Sequence, residues 1–94
     1  HDSFYQECEL SDLRFEQSEF LQVHFIDCDI QQVFFCRSDL SDCEFVECRF
    51  KNCDFENALF ADVIFQNCSF DGVNLDGVNL DDAVFEGCTG HDTV

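Results

Sequence analysis

The stretch CEFVECRFKNCDFENALFADVIFQNCSF, residues 43–70, carries Phe at 45, 50, 55, 60, 65 and 70 without a miss. An α-helix repeats about every 3.6 residues and a strand every 2, so neither sets a period of five. The period extends in both directions. Tyr5, Leu10, Phe15, Phe20, Phe25, Ile30, Phe35 and Leu40 lead into the stretch, and Leu75, Leu80 and Phe85 leave it, so every fifth residue is apolar. Two residues before each centre runs a second column, mostly Cys, Val, Ser or Ala. Two residues after each centre the chain is polar or Gly, from Glu7 and Asp12 through Asn52 and Asn57 to Gly72, Gly77 and Gly87. No insertion breaks the register, which is the signature of a repeat protein.

Geometry follows from these columns. Residues two apart on an extended segment point the same way, so the small residue and the centre both face inward. The next inward pair comes after five residues, an odd step, which a straight strand would turn outward. The chain therefore has to bend between repeats, where Asn, Asp and Gly lie. Gly72, Gly77 and Gly87 are expected to supply positive φ in type II-like corners. Cys8, Cys28, Cys48, Cys68 and Cys88 fill every fourth slot of the small column, which predicts four five-residue sides to a coil.

The repeats VNLDG (73–77), VNLDD (78–82), CDFEN (53–57) and AVFEG (83–87) fit the pattern A-(D/N)-(L/F)-x-x. On this ground the chain resembles the pentapeptide-repeat family over residues 3–88. Phe replaces Leu at many centres, and Cys, Val or Ser often replaces Ala beside them. The resemblance implies an all-β fold, a right-handed quadrilateral β-helix of about 4.5 coils of about 20 residues each. It forms one domain over 1–94, with a tail at 89–94. The expected core is Phe15, Phe20, Phe25, Phe35, Phe45, Phe50, Phe55, Phe60, Phe65, Phe70 and Phe85, with the cysteine column beside it. Each buried ring is worth roughly 1.5–3 kcal/mol. Stacking at about 4.8 Å per coil predicts a rod roughly 20 Å tall.

Eight cysteines raise the question of disulfides or metal. Cys43, Cys48 and Cys53 lie five apart, on different sides, and not at the two-to-four spacing of zinc sites. Stacked Cβ atoms about 4.8 Å apart exceed the ~3.8 Å a disulfide prefers. The inward cysteines read as small buried hydrophobes, and no cofactor is expected. Cys36, in an outward slot after Phe35, is the one thiol expected to be reachable. Burial without bridges fits a reducing cytoplasm. No apolar run approaches a membrane span and no secretory signal is visible, so no membrane contact is expected. Met is absent, which suits a processed or excised piece of a longer protein.

Enzyme chemistry finds no foothold in the sequence. His1 and His91 lie in the end segments, His24 stands in an outward slot, and no phosphate loop or nucleophile elbow occurs. The carboxylates decorate every side, so no acid–base pair is singled out.

What remains is a strongly acidic surface. Asp and Glu number 21 against 4 Lys and Arg, a formal net charge of −17. Over a height of roughly 20 Å, that is about one charge per 1.2 Å, beside one per about 1.7 Å of duplex DNA. Such a surface excludes direct nucleic-acid binding through a basic patch and suits a partner with a basic channel. The resemblance runs closest to the Phe- and Cys-rich quinolone-resistance branch, whose members imply mimicry of DNA toward gyrase or topoisomerase IV. Three readings stay open: a non-enzymatic interaction or scaffold module, a DNA mimic of that kind, and a structural spacer or excised domain whose acidity only keeps it soluble.

Candidate partner residues fall into two groups. Asp42, Asp62 and Asp82 stack in one corner column, and Asp71, Asp76, Asp81 and Glu86 make the C-terminal coils the most acidic zone. Phe4, Ile26, Val46, Ile64 and Val84 place five apolar residues outward on one side, expected to meet a partner or a second copy; Leu21, Leu59 and Ala61 make the next most apolar side. Arg49 and Lys51, among Glu9, Asp29 and Asp71, are expected to form ion pairs between coils, each worth about 0–1 kcal/mol. The sequence shows no capping helix or Pro-rich plug, so end-to-end pairing of two copies or a cut from a longer chain is expected.

Overall fold

The structure, a computed structural model, describes residues 3–20 and 22–90. Among the described residues, nine short strands alternate with bends and turns: β1 (Ser3–Gln6), β2 (Glu9–Ser11), β3 (Val23–Ile26), β4 (Asp29–Gln31), β5 (Glu44–Val46), β6 (Arg49–Lys51), β7 (Ile64–Gln66), β8 (Ser69–Asp71) and β9 (Val84–Glu86). Strands this short are not stable alone, and they are held by stacking on like segments. They form two parallel sheets, β1-β3-β5-β7-β9 and β2-β4-β6-β8. Each register partner lies one period of the cysteine column away, as in Phe25↔Phe45, Phe45↔Phe65 and Phe50↔Phe70. Isolated bridges carry the same offset on the other two sides, Phe34↔Asp54 and Asp39↔Leu59. One period of that column is therefore one coil, and the coil has four sides. Four coils, starting at residues 3, 23, 43 and 63, are followed by part of a fifth.

The body measures 27 × 26 × 23 Å. It is a block about as broad as it is tall, where the sequence suggested a rod. Four sides to every coil give width faster than four or five stacked coils give height.

Every described corner except that at Asp82 is made by a residue in the left-handed region. The residue two after the centre has positive φ at Glu7 (φ 53), Gln17 (φ 59), Arg37 (φ 57), Asn57 (φ 58) and Asn67 (φ 54), among others. This conformation costs an L-residue roughly 1–2 kcal/mol, and Asn and Asp tolerate it best. On the two bridged sides a hydrogen bond closes the corner: Ser38 N–H to Phe35 O (3.0 Å), Cys43 N–H to Leu40 O (3.1 Å) and Ala58 N–H to Phe55 O (2.9 Å). With positive φ at the third residue these are type II turns. An Asp or Asn just before the centre braces the same corners. Asp54 Oδ1 accepts from Glu56 N–H at 2.9 Å and Asn74 Oδ1 from Asp76 N–H at 3.0 Å. At the sheet-side corners the N–H donates across to the next coil, as Glu7 to Ile26 O at 2.9 Å and Asp27 to Val46 O at 2.8 Å.

Inside, the centres stack coil on coil. Phe25, Phe45, Phe65 and Phe85 form one column with centroids 4.9, 5.0 and 4.9 Å apart. Phe35–Phe55 and Phe50–Phe70 repeat the spacing at 4.9 and 5.0 Å. Rings on neighbouring sides meet edge to face, Phe45–Phe50 at 65° and Phe55–Phe60 at 74°, the geometry that aromatic quadrupoles favour. Phe25, Phe35, Phe45, Phe50, Phe55, Phe60, Phe65 and Phe70 are buried, while Phe15, Phe20 and Phe85 are partly buried against the cluster. The difference is positional, because an end coil has a neighbour on one side only.

The cysteine column is more than filler. Cys28, Cys48, Cys68 and Cys88 each donate Sγ–H to the carbonyl of a centre in the coil before, Tyr5 at 3.4 Å and then Phe25, Phe45 and Phe65 at 3.3 Å. The Ser38 hydroxyl does the same to Phe15 O. All eight cysteines are free thiols; Cys28, Cys48 and Cys68 are buried, and Cys8 and Cys88 are half-buried at the two ends. Small donors in this column thus tie consecutive coils together, a role that residue size alone does not reveal.

Candidate protein-binding surface

The four-sided frame sets each outward side chain at a fixed height and side. Asp42, Asp62 and Asp82 are exposed and occupy one corner column, between the second bridged side and the five-stranded sheet. Asp81 is exposed on the second bridged side next to that column, and Asp76 on the first bridged side, one corner further round. Asp71 is exposed on the four-stranded sheet and Glu86 on the five-stranded one, so these two stand around the corner from the rest. Asp54 and Glu56, which the sequence reading did not single out, belong to the same zone.

The cations all come earlier in the chain. Arg14, Arg37, Arg49 and Lys51 precede residue 52, whereas Asp54, Glu56, Asp62, Asp71, Asp76, Asp81, Asp82 and Glu86 follow it. Arg49 is engaged within the fold: its guanidinium bonds the Asp29 carboxylate, lies 3.1 Å from Asp27 Oδ1 and donates to Glu47 O at 3.0 Å. Asp29 and then Asp27 hold Arg49 firmly protonated. Asp29 was expected in this pair. Asp27 was not, because it sits in the corner column and only the coil-to-coil stacking brings it within reach. Lys51 is in register with Asp71. Arg14 lies 4.7 Å over the Phe34 ring and 3.7 Å from Glu16.

The apolar group lies on the outer face of the five-stranded sheet. Ile26 is in register with Val46, and Ile64 with Val84, giving two stacked pairs one strand position either side of the central column. Phe4 stacks on the His24 ring at 4.5 Å, and His24 Nδ1 is 3.1 Å from Glu44 Oε1. Phe4 is 61% and Val84 45% exposed. On the adjacent bridged side Leu59 is exposed beside Ala61; Leu21 lies outside the described residues, as do His1, His91 and the end of the tail.

Cys36 is a correction. It is buried, at 7% exposure, where its outward slot suggested a reachable thiol. Loss of water, then the carboxylates of Asp54, Glu16 and Glu56, push its pKa up. A short side chain between longer ones on adjacent coils is covered by them, and outward does not mean exposed. Burial also pushes Cys28 and Cys43 up to about 11. Cys48 is raised further by its thiol–thiol hydrogen bond with Cys68 and by burial.

Among the described residues, no three His, Cys, Asp or Glu are grouped to hold a metal ion, and no helix is long and apolar enough to cross a membrane. The hollows are surface clefts, such as the one lined by Asp12, Arg14, Gln32 and Phe34, together with an apolar basin of about 130 Å³ at the N-terminal end formed by Tyr5, Leu10, Phe15, Phe20 and Phe25. The arrangement offers surfaces for binding another macromolecule.

No curated protein matches the chain in sequence. Among solved structures, a trypsin-treated form of QnrB1, a plasmid-mediated fluoroquinolone resistance protein, superposes with a TM-score of 0.77 at 18% identity, covering 89% of this chain and 47% of that one. Full-length QnrB1 gives 0.60 at 14% identity over 83% of this chain and 49% of its own. HetL, a pentapeptide repeat protein involved in heterocyst differentiation regulation from the cyanobacterium Nostoc sp. strain PCC 7120, gives 0.56 at 13% identity, with 97% and 50% covered. The chain thus spans about half the length of the structures it resembles, and at these identities the likeness is one of fold. The model of the pentapeptide repeat region matches residues 39–93, and that of eight pentapeptide repeats matches 6–42 and 18–57. With matched repeats along nearly the whole chain and a four-sided coil to explain them, this protein belongs to the pentapeptide-repeat family.

Proposed function

We propose that the protein is a non-enzymatic interaction module whose carboxylate-rich C-terminal coils dock a basic protein surface. One observation carries this reading: eight carboxylates from Asp54 to Glu86 share residues 52–90 with no Lys or Arg. The frame presents them at a fixed pitch, so a partner meets charge that needs no ordering on binding. Complementary potential of this kind raises encounter rates and penalises acidic competitors.

A narrower reading is mimicry of DNA toward gyrase or topoisomerase IV. It is supported by the charge density and by the shared fold with QnrB1, a fluoroquinolone resistance protein. Binding to immobilised gyrase subunits, paired with a supercoiling assay, tests both readings. Salt-sensitive capture is expected for the module, and loss of supercoiling in competition with DNA for the mimic. A variant with Asp62, Asp76 and Asp82 all changed to Asn is expected to lose capture, while one with Glu7→Gln, Glu9→Gln and Asp12→Asn keeps it. Equal loss from both would show net charge acting without a defined surface and would overturn the assignment to the C-terminal coils.

A further inference from the structure

We propose that the outer face of the five-stranded sheet is a self-association surface, on which a second copy of this chain packs its own sheet. On a molecule of net charge −17, most of the surface repels another copy. This face is the exception. Its outward residues on β1, β3, β5, β7 and β9 include two carboxylates, Glu44 and Glu86. Both are engaged within the face: Glu44 lies 3.1 Å from His24 Nδ1, and Glu86 accepts from Gln66 Nε2 at 2.9 Å. Between them run the aliphatic pairs Ile26–Val46 and Ile64–Val84. Parallel sheets are ordinarily covered on both faces, and here the inner face alone is covered by the molecule itself.

The placement of the two pairs singles out a second copy as the occupant. They are offset by two residues along the strand, roughly 6.6 Å, and by two coils, roughly 9.6 Å, so they form a diagonal band about 55° from the strands. A two-fold axis lying along that band sets aliphatic side chains against their own counterparts, as an isologous interface requires. It crosses the two sets of strands at roughly 70°, near the orthogonal class of sheet packing. At about 3.3 Å per residue and about 4.8 Å per coil, a five-residue side over five coils spans roughly 16 by 24 Å, about 400 Å². Two such faces cover about 800 Å², below the usual size of stable interfaces, so the dimer is weak and reversible. Acidic corners flank the face on both edges, Asp42, Asp62 and Asp82 on one and Glu7, Asp27 and Glu47 on the other. Salt therefore strengthens this contact, opposite to its effect on a basic partner.

Sedimentation equilibrium over a concentration series, at low and high salt, is the test. The unmodified chain is expected to shift from monomer toward dimer with concentration, and further at high salt. Val46→Glu with Ile64→Glu raises the dissociation constant at least about tenfold. Leu59→Glu, on another side, leaves it unchanged. Val46→Thr with Ile64→Thr keeps strand-forming side chains and weakens the dimer in the same direction, which covers the case in which the Glu pair does not fold. A monomer at every concentration and salt overturns the proposal, whether or not a basic partner binds. So does a dimer that the sheet-face variants leave intact, or one that salt dissociates.

Discussion

Phe45 shows what a centre residue does. Fully buried, it stacks on Phe25 at 4.9 Å and Phe65 at 5.0 Å and meets Phe50 edge to face at 5.3 Å. Phe45→Ala is expected to cost about 3–5 kcal/mol in urea unfolding. Phe15→Ala is expected to cost less, since its ring is partly open at the N-terminal basin. The thiols give a prediction of opposite character. In the folded chain Cys28 and Cys43 rise from an ordinary 9.0 to about 11 through burial. Between those values the folded state binds more protons than the unfolded one. This contribution is complete below about pH 9 and is lost as pH climbs to about 11. Melting temperatures should fall across that window, and Cys28→Ala with Cys43→Ala should flatten the fall.

Corners, not strands, set the shape of each coil. The sequence marks them by polar residues and Gly, and the Gly positions do carry positive φ. That Gln17, Arg37 and Glu47 adopt it as well is invisible to local preference, because stacking against neighbouring coils imposes it. Gly77 (φ +73) shows the constraint: a Cβ there would lie 2.0 Å from Asn57 Oδ1 in the coil before. Gly77→Ala is expected to lose roughly 1–2 kcal/mol from backbone strain, with the contact adding to it. Asn57→Gly in the same chain should recover the contact part and leave the strain. A double-mutant cycle on urea midpoints separates the two, and strict additivity would show that Asn57 does not press on that corner.

Across the whole molecule, like charges recur at the coil pitch. Asp42, Asp62 and Asp82 stand about 4.8 Å apart, close enough to repel strongly at low ionic strength. Added salt shortens the reach of that repulsion, to about 10 Å at about 0.1 M. It should therefore raise the melting temperature while weakening capture of a basic partner. Changing the three to Asn should raise the low-salt melting temperature and reduce its salt dependence. Parallel salt trends for stability and capture would argue against carboxylates as the basis of both.

The period of five, the inward pairing of small and large residues, and the recurring cysteine column were enough to read the coil, since a repeat without insertions allows one register. The acidic columns and the apolar side were legible for the same reason: position in the repeat maps to a side of the coil. Contacts between coils were not. Burial of Cys36, the reach of Asp27 to Arg49, the thiol bonds to carbonyls of the preceding coil, and the compact proportions of the block all join residues a full coil apart or depend on side-chain length. Spacing along the chain assigns a residue its place on the coil; only stacking decides what covers it, bonds it or leaves it open to a partner.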